Sequence, residues 1–308
     1  MKVFILSPNV DTLFTPELKK KLKSSGEVII DKKPRDISKV KALFQGDEQR
    51  ILALDPDFTE WKVNNGDIKK IPNLKAICLQ TTSFSWIDVD YVKKLNIPVI
   101  NLRGFSSKAV AEWAILMTFN VARKVPLVIK EDWKYDYSKH KGIEIFGKTA
   151  GVVGMGSIGT NIAEKCKGLG MKVVYWSKNT RDNRFKYMKL EKLMKTADVI
   201  YPAVARNEKT AGLVTDKMIK GMKKSAIFVS VVHDVYNHKL LLKQADKNEI
   251  YGYAFEEESK VTFNKYKGNV WAGPQLAWAT DGSMKRNAEQ WVESVVSASK
   301  GSFKNRVN

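Results

Sequence analysis

Cysteine is almost absent from this chain of 308 residues. Cys78 and Cys166 stand alone and far apart, which excludes a disulfide framework and a cysteine-based zinc site. Histidine is nearly as scarce, so any imidazole chemistry must come from His140, His233 or His238. Long apolar runs are missing too. MKVFILSPNV has one basic residue and only four consecutive apolar ones, too few for a signal-peptide core, and no run approaches the ~18 needed to span a bilayer. Low-complexity linkers and solenoid-period repeats are also lacking. These absences predict a globular, soluble, cytoplasmic protein without a membrane partner or a metal.

Acidic residues are in deficit. Lys plus Arg total 53 against 33 Asp plus Glu, a formal net charge of +20. Such an excess can mark a nucleic-acid partner. Its distribution argues against one, because only nine of the 53 are Arg and the lysines are scattered in small groups such as KKKLK at 19–23. Scattered lysine solvates helix faces, whereas specific nucleic-acid sites favour clustered arginine.

What the chain has in quantity is short, continuously apolar runs. KVFIL (2–6), EVIID (27–31), RILALD (50–55), LKAICLQ (74–80), PVINL (98–102), TAGVVG (149–154), KVVYWS (172–177), DVIYPAV (198–204), AIFVSV (226–231), YGYAFE (251–256) and NVWAG (269–273) alternate with amphipathic stretches. Runs without polar alternation suit strands buried on both faces, as in parallel sheets. The class is therefore α/β. The longest helical stretch, SSKAVAEWAILMTFNVARKV (106–125), is apolar on most of its surface. It suits a helix packed between domains or subunits, or a plain core helix.

The turn GVVGMGSIGTN (151–161) carries Gly154, Gly156 and Gly159 after one strand-like run and ahead of a helix and another strand, all within about 30 residues. Gly154 permits a tight turn, Gly156 admits a pyrophosphate to the backbone, and Gly159 lets helix and strand pack closely. The helix start at Ser157 and Ile158 offers unpaired N–H groups to phosphates. A dinucleotide is the expected ligand. An acid about 20 residues further on normally holds the adenosine ribose 2′-hydroxyl. Here that place holds Ser177 and Lys178, with Arg181 close behind. Loss of the acid and gain of positive charge predict NADP(H) in preference to NAD(H).

The succession IPVINLRGFSSKAVAEWAILMTFNVAR, GKTAGVVGMGSIG, ADVIYPAV, AIFVSV and NVWAGPQLAWAT resembles the D-isomer-specific 2-hydroxyacid dehydrogenase family over essentially the whole chain. The segment PQLAWAT is most similar to members acting as glycerate dehydrogenases or hydroxypyruvate reductases. The resemblance implies two parallel-sheet domains, Rossmann-like or flavodoxin-like, with the cofactor domain (101–281) inserted in the substrate domain (1–100 plus 282–308). It implies an active site in the cleft, a small 2-keto or 2-hydroxy acid as substrate, and a homodimer joined through the cofactor domains.

Reduction of a 2-keto acid needs a cation, a proton donor and a carboxylate that tunes the donor. The family supplies Arg, His and Glu, and this sequence departs at two of the three. In AIFVSVVHDVYN, His233 takes the arginine's place and Asp234 that of the following glycine; counting from the other side puts Val232 there. The family histidine becomes Gln275, which can hydrogen-bond a carbonyl but cannot deliver a proton. His233 is then the expected donor. Glu256, Glu257 and Glu258 compete for the carboxylate, with Glu258 the expected one. The loop QTTSFSWID is expected to bind the substrate carboxylate through the N–H groups of Thr82, Ser83 and Phe84, with Ser83 where the family has glycine. A second reading stays open at this level: a dinucleotide-binding homologue that has lost the chemistry and acts as a cofactor-responsive interaction protein.

Overall fold

A run of four to six apolar residues has no face to leave in water, and most of these runs form strands covered on both sides, the edge strand Glu27–Asp31 with its exposed Ile30 excepted. The computed structural model describes residues 1–205, 207–257 and 263–308. Within it the chain divides into two compact units, Met1–Ser106 with Asp281–Asn308, and Ser107–Thr280. Both sheets are wholly parallel, so the chain is of the α/β class expected from the alternation of runs.

The first unit holds β1 (Lys2–Leu6), β2 (Glu27–Asp31), β3 (Arg50–Leu54), β4 (Leu74–Leu79) and β5 (Val99–Ile100), in the flavodoxin-like order β2-β1-β3-β4-β5. One face packs on the helix Asp281–Ser299, whose Ala288, Trp291, Val292 and Val295 are buried. Trp291 is fully enclosed, and its indole N–H donates to the Cys78 carbonyl of β4 at 3.0 Å. A buried indole keeps its packing energy only if that polar atom is paired. Arg50, also fully buried, spends its guanidinium on the carbonyls of Leu43 (2.6 Å) and Gly46 (2.8 Å). Beyond β5 the sheet edge is covered by the closing residues: Arg306 bridges Ile100, and the Val307 N–H donates to the Val99 carbonyl.

The second unit holds β6 (Thr149–Val153), β7 (Lys172–Trp176), β8 (Lys186–Tyr187), β9 (Val199–Pro202), β10 (Ile227–Val229), β11 (Gly252–Glu257) and β12 (Val270–Pro274). Their order is β12-β11-β10-β9-β6-β7-β8, so the chain starts at β6, runs to one edge, and returns to fill the other side from β9. That reversal between β6 and β9 is the Rossmann switch point, where ligands bind in open α/β sheets. The two-residue edge strand β8 has no apolar run to announce it.

The long helical stretch forms a helix over Ser107–Ala122 and stops short of residue 125. Lys124 takes a left-handed φ of +54°, and Pro126, which has no N–H to continue a ladder, opens a separate helix at Val125–Lys130. Nine residues of Ser107–Ala122 are buried, against the helix Ser157–Gly168 and strands β10 to β12 of the same unit. Leu116 and Phe119 on its outer side remain exposed. Among the described residues no helix is long and apolar enough to cross a membrane.

Candidate functional site

The glycine turn stands at the switch point of the second sheet. Gly154 ends β6 with φ +106°, and its N–H donates to the Trp176 carbonyl of β7 at 2.7 Å. A Cβ at Gly154 would sit 2.7 Å from the Ala203 carbonyl oxygen, at the end of β9. At Gly159 it would lie 1.9 Å from the Gly154 oxygen, nearer than any side chain can come. Gly156, the N-cap of Ser157–Gly168, has nothing within 4 Å of where a Cβ would be. The close pair fixes the helix against the strand, and the open third glycine leaves the backbone bare at the helix start. The first amides there have no partner within the helix. This open cradle, with the amides of Ser157, Ile158 and Gly159 beside it, fits a pyrophosphate. Ser157 is anchored from behind, its hydroxyl 2.8 Å from that of Ser107.

At the end of β7, Ser177 is buried and its hydroxyl accepts the Thr180 N–H at 3.2 Å. That contact helps shape the turn and leaves the hydroxyl's own proton to donate. Arg181 donates to the carbonyls of Ser177 (2.9 Å) and Thr180 (3.0 Å), and its guanidinium lies 4.2 Å from the centre of the Tyr187 ring in β8. Lys178 is exposed. The nearby acid, Asp182, is taken up by Arg184, which holds its carboxyl below the usual range. The turn is thus left with exposed positive charge and with its one acid already paired.

The loop after β10 carries His233, half-buried, and Asp234, whose φ is +61°. A left-handed backbone is what a glycine position requires. Ser230 braces this loop, its hydroxyl donating to the Val232 carbonyl (2.7 Å) and accepting the Val232 N–H (3.2 Å).

Glu258 lies outside the described residues. Glu256 stands in β11, opposite Gly273 of β12 and on the strand next to β10, whose following loop carries His233. Its Oε1 accepts the Ala277 N–H at 2.9 Å, tying it to the segment that carries Gln275. Burial pushes the Glu256 carboxyl up, opposed by the amides of Ala277 and Leu276 and by the charge of His233. Glu257 points the other way, bound by Tyr266 (2.6 Å) and Lys265 (3.0 Å). Strand alternation makes this division: neighbours in β11 face opposite sides of the sheet. Gln275 itself is exposed, just past β12. One imidazole, one raised carboxyl and one amide thus lie along adjoining strand ends of this unit.

The other histidines do structural work. His140 is buried, its Nδ1 accepting the Asp136 N–H at 3.0 Å. His238 has its Nδ1 2.8 Å from the Tyr253 hydroxyl, and burial pushes its pKa down.

In the first unit the loop after β4 exposes Thr82, Ser83 and Phe84. The Ser83 N–H already donates to the Thr81 hydroxyl at 3.2 Å, so of the three expected amides this one is engaged. The Ser83 carbonyl accepts the Trp86 indole N–H at 3.0 Å, and Asn101 holds the Thr82 carbonyl at 2.7 Å.

Residues 115–272, just over half the chain, match the model of the family described as D-isomer specific 2-hydroxyacid dehydrogenase, NAD binding domain. A glyoxylate reductase of Thermococcus litoralis is 29% identical over 78% of this chain and 78% of its own length. A glycerate dehydrogenase of Methylorubrum extorquens is 28% identical over 74% of this chain and 77% of its own. Among solved structures, an acyclic imino acid reductase in complex with NADPH and D-Arg superposes with a TM-score of 0.82, covering 100% of both chains at 24% identity. That last likeness is one of fold.

The glycine contacts set a prediction. Gly159→Ala forces the helix off β6; it is expected to cost about 1–3 kcal/mol in urea unfolding, as overpacking does, and to weaken NADPH binding. Gly168→Ala, at the end of the same helix with open space around it, is the matched control and should be neutral or stabilising. Unchanged NADPH affinity in Gly159→Ala, read by fluorescence titration, would remove the turn from the cofactor site.

Proposed function

This chain belongs to the D-isomer-specific 2-hydroxyacid dehydrogenase family, and from that premise we propose a reductase of 2-keto acids that prefers NADPH and works through His233, Glu256 and Gln275. As a family member it is an oxidoreductase that uses a nicotinamide cofactor and interconverts 2-keto and 2-hydroxy acids. Bound nicotinamide supplies the hydride. The chain's own residues must hold the substrate, polarise its carbonyl and deliver a proton. We assign the proton to His233, the orientation of the carbonyl oxygen to the Gln275 amide, and the tuning of His233 to Glu256. The observation that carries this is the placement of Glu256, tied by the Ala277 amide to the segment of Gln275 and standing on the strand next to the one that leads into the His233 loop. Carboxylate binding we assign to the loop of Thr82, Ser83 and Phe84, chiefly to the amides of Thr82 and Phe84.

The preference for NADPH rests on the charge around the end of β7. Arg181 is fixed beside Ser177 by two backbone carbonyls and the Tyr187 ring, Lys178 is exposed, and Asp182 is neutralised. We also propose a homodimer formed through the second unit. Leu116, Phe119, Trp133, Tyr135, Tyr137 and Phe146 are exposed, Tyr137 at 81%. So much bare aromatic surface suits contact with a second copy. A reducing, cytoplasmic setting suits Cys78 and Cys166, both unpaired and buried.

Three measurements test these assignments. Reduction of glyoxylate, hydroxypyruvate, pyruvate and phenylpyruvate should be followed for the original protein, His233→Ala and Gln275→Ala. Loss of an orienting hydrogen bond at Gln275 should cost about 10-fold, and loss of the proton donor about 10²- to 10⁴-fold. A larger loss at Gln275 than at His233 reverses the roles. In titrations, one charge-assisted hydrogen bond to the 2′-phosphate should favour NADPH over NADH by about 10- to 100-fold, and Ser177→Asp should invert the order. Equal affinities in the original protein would dismiss the preference. Sedimentation should give twice the 34.9 kDa chain mass, falling to one chain in the double variant Phe119→Asp, Trp133→Asp; a monomeric original protein would refute the dimer.

A further inference from the structure

Two exposed tryptophans have a left-handed backbone, Trp61 in the first unit and Trp133 in the second, and it is Trp61 that packs near the loop of Thr82, Ser83 and Phe84. Glu60 and Trp61 have φ of +51° and +59°. Two successive non-glycine residues in this region, one of them bulky, are sterically disfavoured and persist only where their surroundings hold them. Here they are held on three sides. Asp55, at the end of β3, caps the short turn Pro56–Phe58 through its side chain, the Trp61 N–H donates to the Pro56 carbonyl at 2.9 Å, and the indole N–H donates to Asp57 at 3.2 Å. The ring so displayed is 49% exposed.

Its other neighbour is the ring of Trp86, edge-on at 6.2 Å with 70° between planes. Trp86 in turn donates its indole N–H to the Ser83 carbonyl at 3.0 Å. A strained, half-bare tryptophan thus stands one ring away from the loop of Thr82, Ser83 and Phe84, where the Phe84 side chain is also exposed. With its N–H spent on Asp57, Trp61 has only its apolar face to offer. The Asp57 carboxylate at the indole N–H disfavours a second negative charge in a ligand.

We propose that Trp61 is a specificity-determining residue of the substrate site, and that with Phe84 it selects 2-keto acids bearing an aromatic side chain over glyoxylate and over dicarboxylates. The proposal rests on the reading that the loop of Thr82, Ser83 and Phe84 holds the substrate carboxylate. With that group on the loop, an aromatic substrate side chain is placed to meet the Trp61 face, and ring contact with Trp61 adds binding that glyoxylate, a two-carbon acid with only hydrogen in place of a side chain, cannot collect.

The test pairs turnover with binding. The KM for phenylpyruvate and for glyoxylate is measured in the original protein, in Trp61→Phe and in Trp61→Ala, and binding of phenyllactate is measured by calorimetry without turnover. Trp61→Ala should shift the ratio of the two KM values by about 10-fold against phenylpyruvate and weaken phenyllactate to the same degree, with kcat for phenylpyruvate moving far less; Trp61→Phe should restore most of both. Equal KM changes for the two substrates, or phenyllactate binding indifferent to Trp61, overturns the aromatic wall while leaving the reductase standing. Binding that depends on Trp61 with no turnover of any keto acid sustains the wall and removes the catalytic assignments. Glyoxylate or oxaloacetate preferred over phenylpyruvate by the original protein also defeats the proposal.

Discussion

A missing methyl group sets the geometry of the second unit. Because Gly159 has no Cβ, the helix Ser157–Gly168 comes so close to β6 that the Gly154 carbonyl fills the space a side chain would need. That approach fixes where the helix begins, and with it where bare amides meet the open backbone at Gly156. The strands to either side inherit the register: β7 brings Ser177 and Arg181 to one flank, and β9 brings Ala203 against Gly154 on the other. A dinucleotide site of this kind is a consequence of packing before it is one of chemistry.

The architecture was largely legible in the sequence because parallel strands buried on both faces leave continuous apolar runs. All eleven runs form strands, whereas the exposed pair Lys186–Tyr187, paired with β7 at the edge, left no such trace. Gly154 and Gly159 were legible because each has its own steric demand. The acid was not. Glu256 and Glu257 differ in which side of β11 they take, and that depends on where the strand begins. Burial and the Ala277 amide mark Glu256, and Tyr266 with Lys265 claims Glu257.

Contacts that depend on how loops and edge strands meet were hidden for a different reason. The stacking of Arg181 on Tyr187 needs the edge strand β8, and the Trp61 and Trp86 pair needs two loops from different strand ends to meet. No periodicity encodes either. The engaged N–H of Ser83 is likewise a matter of one hydroxyl rotamer at Thr81.

The order of the segments has a consequence for how the molecule is made. The second unit is one uninterrupted piece, Ser107–Thr280, while the first is completed only by Asp281–Asn308. Trp291, which fills the core of the first unit, is therefore translated after every residue of the second. During synthesis at about 5–20 residues per second, the five-stranded sheet waits with the face for Trp291 uncovered while the later unit can already close. The part of the chain that is made first is the part that finishes folding last, and a holdase that recognises bare β-sheet has its longest opportunity there.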